Sequence, residues 1–82
     1  MTGPKSNGST DNRQLSKAEK RIAILACKGF TNKAIAQELS ITENTVKNHI
    51  YNIFNKTGTE GRIRLMRFLI QQPEYKEAIL GD

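Results

Sequence analysis

The chain of 82 residues has a single cysteine, Cys27. No intrachain disulfide and no cysteine-based zinc site can be assembled from one thiol. Cys27 lies in an apolar run, where a small buried side chain is a better reading than a reactive thiol. No apolar run approaches the ~18 residues that a membrane span needs, and the start of the chain is too polar for a signal peptide. A reducing cytoplasm is the expected setting. Acids are scarce: 8 Asp and Glu stand against 13 Lys and Arg, giving a net charge of +5. That excess favours a polyanionic partner, either nucleic acid or an anionic membrane surface. Paired-carboxylate, Cys–His and Gly-rich phosphate motifs are missing, so there is nothing from which to build an enzyme. Few chains this short bury enough surface for both a core and an enzyme pocket. Neither an internal repeat nor a useful length of strand-like alternation is present, and the expected class is all-α.

Residues 1–14, MTGPKSNGSTDNRQ, are rich in Gly, Ser, Asn and Thr and read as a disordered tail or a linker. Structure is expected to begin at Leu15-Ser16. Ser16 and Glu19 form an S-x-x-E capping box, Ile22, Leu25 and Ala26 recur at helical spacing, and Gly29 suits a left-handed stop. This predicts a first helix over 17–28. Thr31 is the expected N-cap of a short second helix, 32–39, with Ile35, Ala36 and Leu39 as its buried stripe. After the turn at Ser40-Ile41, Thr42 caps a third helix that runs to Thr57 and stops at Gly58. Two helices so closely joined, the first of only two turns, predict a helix-turn-helix. A fourth helix is expected over 62–71, ended by Pro73, and PEYKEAILGD can form one further short helix. The expected architecture is therefore a compact four-helix domain over 15–72, with 73–82 as a C-terminal extension.

The third helix carries the chemistry. With Asn44 at zero and about 100° per residue, Val46, Ile50, Ile53 and Phe54 fall between about 180° and 280°, a single apolar face. Lys47, Asn48, Tyr51 and Asn55 fall within about 60° of Asn44 on the opposite side. Asn is a poor helix former, and four of them, at 44, 48, 52 and 55, are an odd choice for an idle surface. Asn pairs in bidentate fashion with adenine in the major groove, Lys reaches the acceptors of guanine, and Tyr offers a flat ring with a donor at its tip. Lys47, Asn48 and Tyr51 are the expected base contacts. Asn52, Lys56 and His49 flank them at about 80° to 140° and are placed for the phosphate backbone. Thr31, Asn32 and Lys33 would bring a second helix N-terminus, with its free N–H groups, to another phosphate.

These residues resemble a known family. The run from Leu15 to Leu69 is similar to the DNA-binding domain of LuxR/GerE-type bacterial transcription regulators, which is also the output domain of NarL/FixJ-type response regulators. The likeness is carried by Leu15-Ser16-x-x-Glu19, Gly29-x-Thr31-Asn32-Lys33-x-Ile35-Ala36 and Thr45-Val46-Lys47-Asn48-His49. It implies a four-helix domain whose third helix enters the major groove. It also implies base contacts at Lys47, Asn48 and Tyr51, and backbone contacts at Asn32, Lys33, Thr42, Thr45, His49 and Lys56. A fourth helix that mediates dimerisation is implied too, through Leu65, Met66 and Leu69. The partners expected on this resemblance are double-stranded DNA and a second copy of the chain, with RNA polymerase a further candidate; no cofactor, metal or membrane is expected.

There are departures from the family pattern. Tyr51 stands where many relatives have a smaller or more basic residue. Gly61-Arg62-Ile63-Arg64 replaces an Asn/Asp-Arg-Thr-Glu start, so the fourth helix lacks the hydroxyl that commonly caps it. Arg62, Arg64 and Arg67 read as a solvated basic face in preference to extra phosphate contacts. Two rival readings are region 4 of a sigma factor, which would need a long preceding helical domain, and an adaptor that no longer binds DNA. An adaptor would be expected to lose Lys47 or Lys33, or to gain acids on the third helix. Two readings of the chain's control stay open: it acts alone and is regulated by its abundance, or a sensory half precedes residue 1.

Overall fold

Three hydroxyls start the first three helices. In the computed structural model, which describes residues 14–81, Ser16 caps α1 (Lys17–Cys27), Thr31 caps α2 (Asn32–Leu39) and Thr42 caps α3 (Glu43–Thr57). Each side-chain oxygen accepts from the backbone N–H three residues on, at 3.1 Å in all three cases. The capping box at Ser16 is complete, since the Ser16 N–H donates to Glu19 Oε1 at 2.9 Å. These bonds occupy helix-end donors that would otherwise have no partner.

The three helices also stop alike. Phe30 N–H donates to Leu25 O, Ile41 N–H to Ala36 O and Thr59 N–H to Phe54 O, each closing the six-to-one bond of a left-handed helix stop. Gly29 and Gly58 take the positive φ angle that such a stop requires, and at the turn between α2 and α3 Ser40 takes it instead, at φ 59°. A non-glycine residue is uncommon there. It makes the helix-turn-helix corner short and sharp.

α4 (Arg62–Leu69) begins at Gly61, φ 85°, with no side-chain cap, as the missing hydroxyl implied. It ends two residues before the expected stop. Pro73 instead opens α5 (Pro73–Leu80), a position where its fixed φ and missing N–H cost nothing. The expected extra helix is thus present, but as part of the same packed body: Tyr75 and Ile79 are buried with the residues of the other helices.

The described residues are all-helical. Ile22, Ala23 and Ala26 of α1 form the centre, and Ile35, Ala36, Val46, Ile53, Leu65 and Leu69 close over them. α1 touches all four other helices, and α2 packs on α3. No helix among the described residues is long and apolar enough to cross a membrane. The expectation of a disordered tail or linker falls, apart from Gln14, outside the described residues.

Candidate nucleic-acid interface

Because Val46 and Ile53 are fully buried and Ile50 and Phe54 partly so, α3 has only one orientation on the core. Its other side is then necessarily outward. Asn44, Lys47, Asn48, Tyr51, Asn52 and Asn55 are all exposed, Tyr51 at 67%. The ring of Tyr51 stands in water at an apolar cost that packing alone does not explain. None of these six side chains hydrogen-bonds another described side chain. They form one strip of amides, ammonium and phenol along the helix.

Beside this strip lies the start of α2. Thr31 and Lys33 are exposed, and Asn32 is half-buried. Ala34 N–H is taken by Thr31 Oγ1, and Ile35 N–H by Thr31 O, so the N–H groups of Asn32 and Lys33 are the ones that the helix leaves open. Asn32, Lys47, Tyr51 and Arg62 border a concavity of about 400 Å³ whose floor is Ile50 and Phe54. At the start of α3 the hydroxyls of Thr42 and Thr45 lie 2.9 Å apart and bond to each other. Glu43, in the first turn of α3, sits where the helix dipole favours a negative charge. Lys33 and Lys47 have no acidic partner among the described residues, where only Lys20 and Lys56 are paired with acids.

Several expected site residues are placed elsewhere. Lys56 turns away from the strip to the buried carboxylate of Glu19, with Nζ 2.8 Å from Oε1, so its charge already has a partner within the fold. Burial would raise the pKa of Glu19. The hydrogen bonds from Lys56 and the Ser16 backbone, with the Lys56 charge and the Ser16 hydroxyl, outweigh it and hold the carboxyl below its ordinary value. His49 is half-buried in a recess lined by Ala18, Arg21, Ile22, Leu39 and Ile41, with Nδ1 enclosed and unpartnered. At about 140° on the helix it is close enough to the apolar face for the core to claim it. Leu65 and Leu69 are each only 1% exposed, which makes them core residues and removes them as dimer contacts; Met66 is half-buried. The apolar residues that α4 does expose are Ile63, at 71%, and Phe68.

Arg62 is the residue that sequence reasoning misplaced most. It is no part of a solvated face: Nη1 donates to Phe30 O at 2.6 Å and lies 3.5 Å from Ala26 O, and Nη2 donates to Asn32 Oδ1 at 2.9 Å. Arg64 and Arg67 are exposed as expected. Burial pushes the Cys27 thiol up, the nearby Arg62 charge offsetting part of that, which fits an unreactive packing role.

Comparison with known proteins adds an independent line. The family model described as bacterial regulatory proteins, luxR family, matches residues 13–69. The spore germination protein GerE of Bacillus subtilis is 40% identical over 60 residues, which cover 73% of this chain and 81% of that protein. A probable csgAB operon transcriptional regulatory protein of Salmonella typhimurium is 43% identical over 54 residues, 66% of this chain but only 25% of that protein. The transcriptional regulatory protein LiaR of Bacillus subtilis is 48% identical over 48 residues, 58% of this chain and 23% of that protein. The chain thus spans most of one short relative and about a quarter of the longer ones. No solved structure is a significant match.

Proposed function

The chain belongs to the luxR family of bacterial regulatory proteins, and on that footing we propose that it regulates transcription by inserting α3 into the major groove of double-stranded DNA. The observation that carries this reading is the outward strip of α3. Lys47, Asn48 and Tyr51 are exposed and free of side-chain partners within the fold, and they are of the types that read base edges. Lys33, with the open N–H groups at the start of α2, serves a phosphate beside the groove. Thr31 and Asn32 beside it, and Thr42, Thr45 and Asn52 on α3 and its N-cap, are assigned to the backbone as well. Lys56 is withdrawn from the phosphate contacts because Glu19 holds it. His49 keeps only a supporting part.

Binding as a homodimer to an inverted repeat, with half-sites about one helical turn apart, extends the proposal. The dimer contact is reassigned from Leu65 and Leu69 to exposed Ile63 with half-buried Met66 and Ile70 at the end of α4, which lie within about 60° of one another.

Selection of binders from a random duplex pool at near-physiological salt, followed by sequencing, tests the proposal. An enriched inverted repeat is expected. An enriched single half-site would keep α3 as reader and remove the dimer. Retention without enrichment would leave only phosphate contacts, and no retention would favour an adaptor that has lost DNA binding.

A further inference from the structure

We propose that Arg62 is a positioning residue for DNA: it holds the side-chain amide of Asn32 with its donor end turned toward the phosphate backbone. The inference rests on the DNA-binding reading above and assigns a function to a side chain that touches no DNA in it.

Arg62 is the first residue of α4, and its guanidinium reaches across to the corner where α1 ends and α2 begins. Two of its bonds, to Phe30 O and to the more distant Ala26 O, fix that corner. The third differs in kind, because it goes to a side chain, Asn32 Oδ1. A guanidinium has five donors and no acceptor. Only the oxygen end of the Asn32 amide can face it, since the reversed amide would set two N–H groups against each other. The two hydrogens on Asn32 Nδ2 are therefore held on the side away from Arg62.

The surroundings of that amide are built for an anion. Asn32 is the first residue of α2, where its own N–H and that of Lys33 have no helical partner. Asn32 shares the concavity beside α3 with Lys47, Tyr51 and Arg62, and none of the residues lining it is an acid. Both cations there lack an acidic partner among the described residues. A phosphodiester beside the groove would meet donors from the amide and the helix N-terminus, with the Lys47 charge nearby. Without Arg62 the amide rotates, and half of its orientations present oxygen to that phosphate.

A double-mutant cycle on binding tests this, with a mixed-sequence fluorescent duplex at low salt as the probe, because a phosphate contact is indifferent to sequence. Asn32→Ala, Arg62→Gln and the double variant are compared with the wild type at a temperature where circular dichroism shows all four folded. Each single change is expected to weaken binding about tenfold, the worth of one hydrogen bond to a charged group. The double variant should bind no worse than either single one. Multiplied losses in the double variant would mean that Arg62 acts only on the fold, and would overturn the proposal. If Arg62→Gln does not fold, Arg62→Lys replaces it, keeping the charge without the planar fork that spans Phe30 O and Asn32 Oδ1 together, and the same non-additivity decides. A wild type that ignores the duplex overturns the DNA reading and this inference with it; a wild type that binds, with an additive cycle, overturns this inference alone.

Discussion

Glu19 performs two tasks with one carboxylate. Its Oε1 accepts from the Ser16 N–H, which closes the cap of α1, and from Lys56 Nζ, which anchors the last turn of α3. At 5% exposure such a group is stable as an anion only while those donors remain. Replacing Lys56 by Met is expected to cost about 1–3 kcal/mol of folding stability, less than for a fully buried pair because Lys56 is itself partly exposed. The pH dependence has a definite sign. Because the folded carboxyl titrates below its ordinary value of 4.5, its contribution is whole above that value and is lost as pH falls through the lower, folded value. The gap between wild type and Lys56→Met should therefore be widest near neutrality and close in acid. Urea titrations across that range would check it, and a gap that widened in acid would remove the pair from this role. The variant should also keep the salt dependence of DNA binding. A slope lowered by about 1 would return Lys56 to the phosphate contacts. The cap was legible in the sequence because its partners are three residues apart. The ion pair, spanning 37 positions, leaves no local pattern.

Among the helices, α3 is the one whose role follows most directly from periodicity. Its apolar positions agree on one side, and burial at Val46 and Ile53 matches them. Phase alone then put Lys47, Asn48 and Tyr51 outward. Substitutions on this helix and at the start of α2 should behave differently. Asn48→Ala is expected to relax preference at one base position, at about 1–3 kcal/mol on the selected duplex and little on random DNA. Lys33→Ala should weaken both equally and lower the salt slope by about 1. Equal losses on specific and random DNA for Asn48→Ala would move that residue to the backbone. The phase of α4 was harder to read. Leu65, Met66, Leu69 and Ile70 form one apolar stripe, with Ile63 to one side, and periodicity cannot tell which part meets the core. Contact with α1 settles it for Leu65 and Leu69. Arg62 was misread for a related reason. A cation at a helix start looks solvated in sequence, and its three acceptors come from residues 30 to 36 positions away.

At the scale of the whole molecule, α3 and α4 present different chemistry at the surface. α3 shows polar groups, and α4 shows Ile63 at 71% exposure beside Met66 and Ile70. An isoleucine that exposed is unfavourable in an isolated chain and becomes favourable once a partner covers it. A second copy is the occupant that the proposed inverted repeat requires, with α4 meeting α4 in an isologous contact across a two-fold axis. Exposed Arg67 lies about 40° from Ile63 on the helix and would repel its copy across the axis. That repulsion predicts a weak dimer in free solution, strengthened when DNA phosphates offset the charge and when added salt screens it. Ile63→Glu tests the arrangement without touching the core. Its thermal midpoint should match the wild type, while sedimentation on a duplex with two half-sites should show one protomer bound where the wild type shows two at the same concentration. Binding to a single half-site should be unchanged. If Ile63→Glu still loads both half-sites together, α4 is not the dimer contact, and each copy reads its half-site alone.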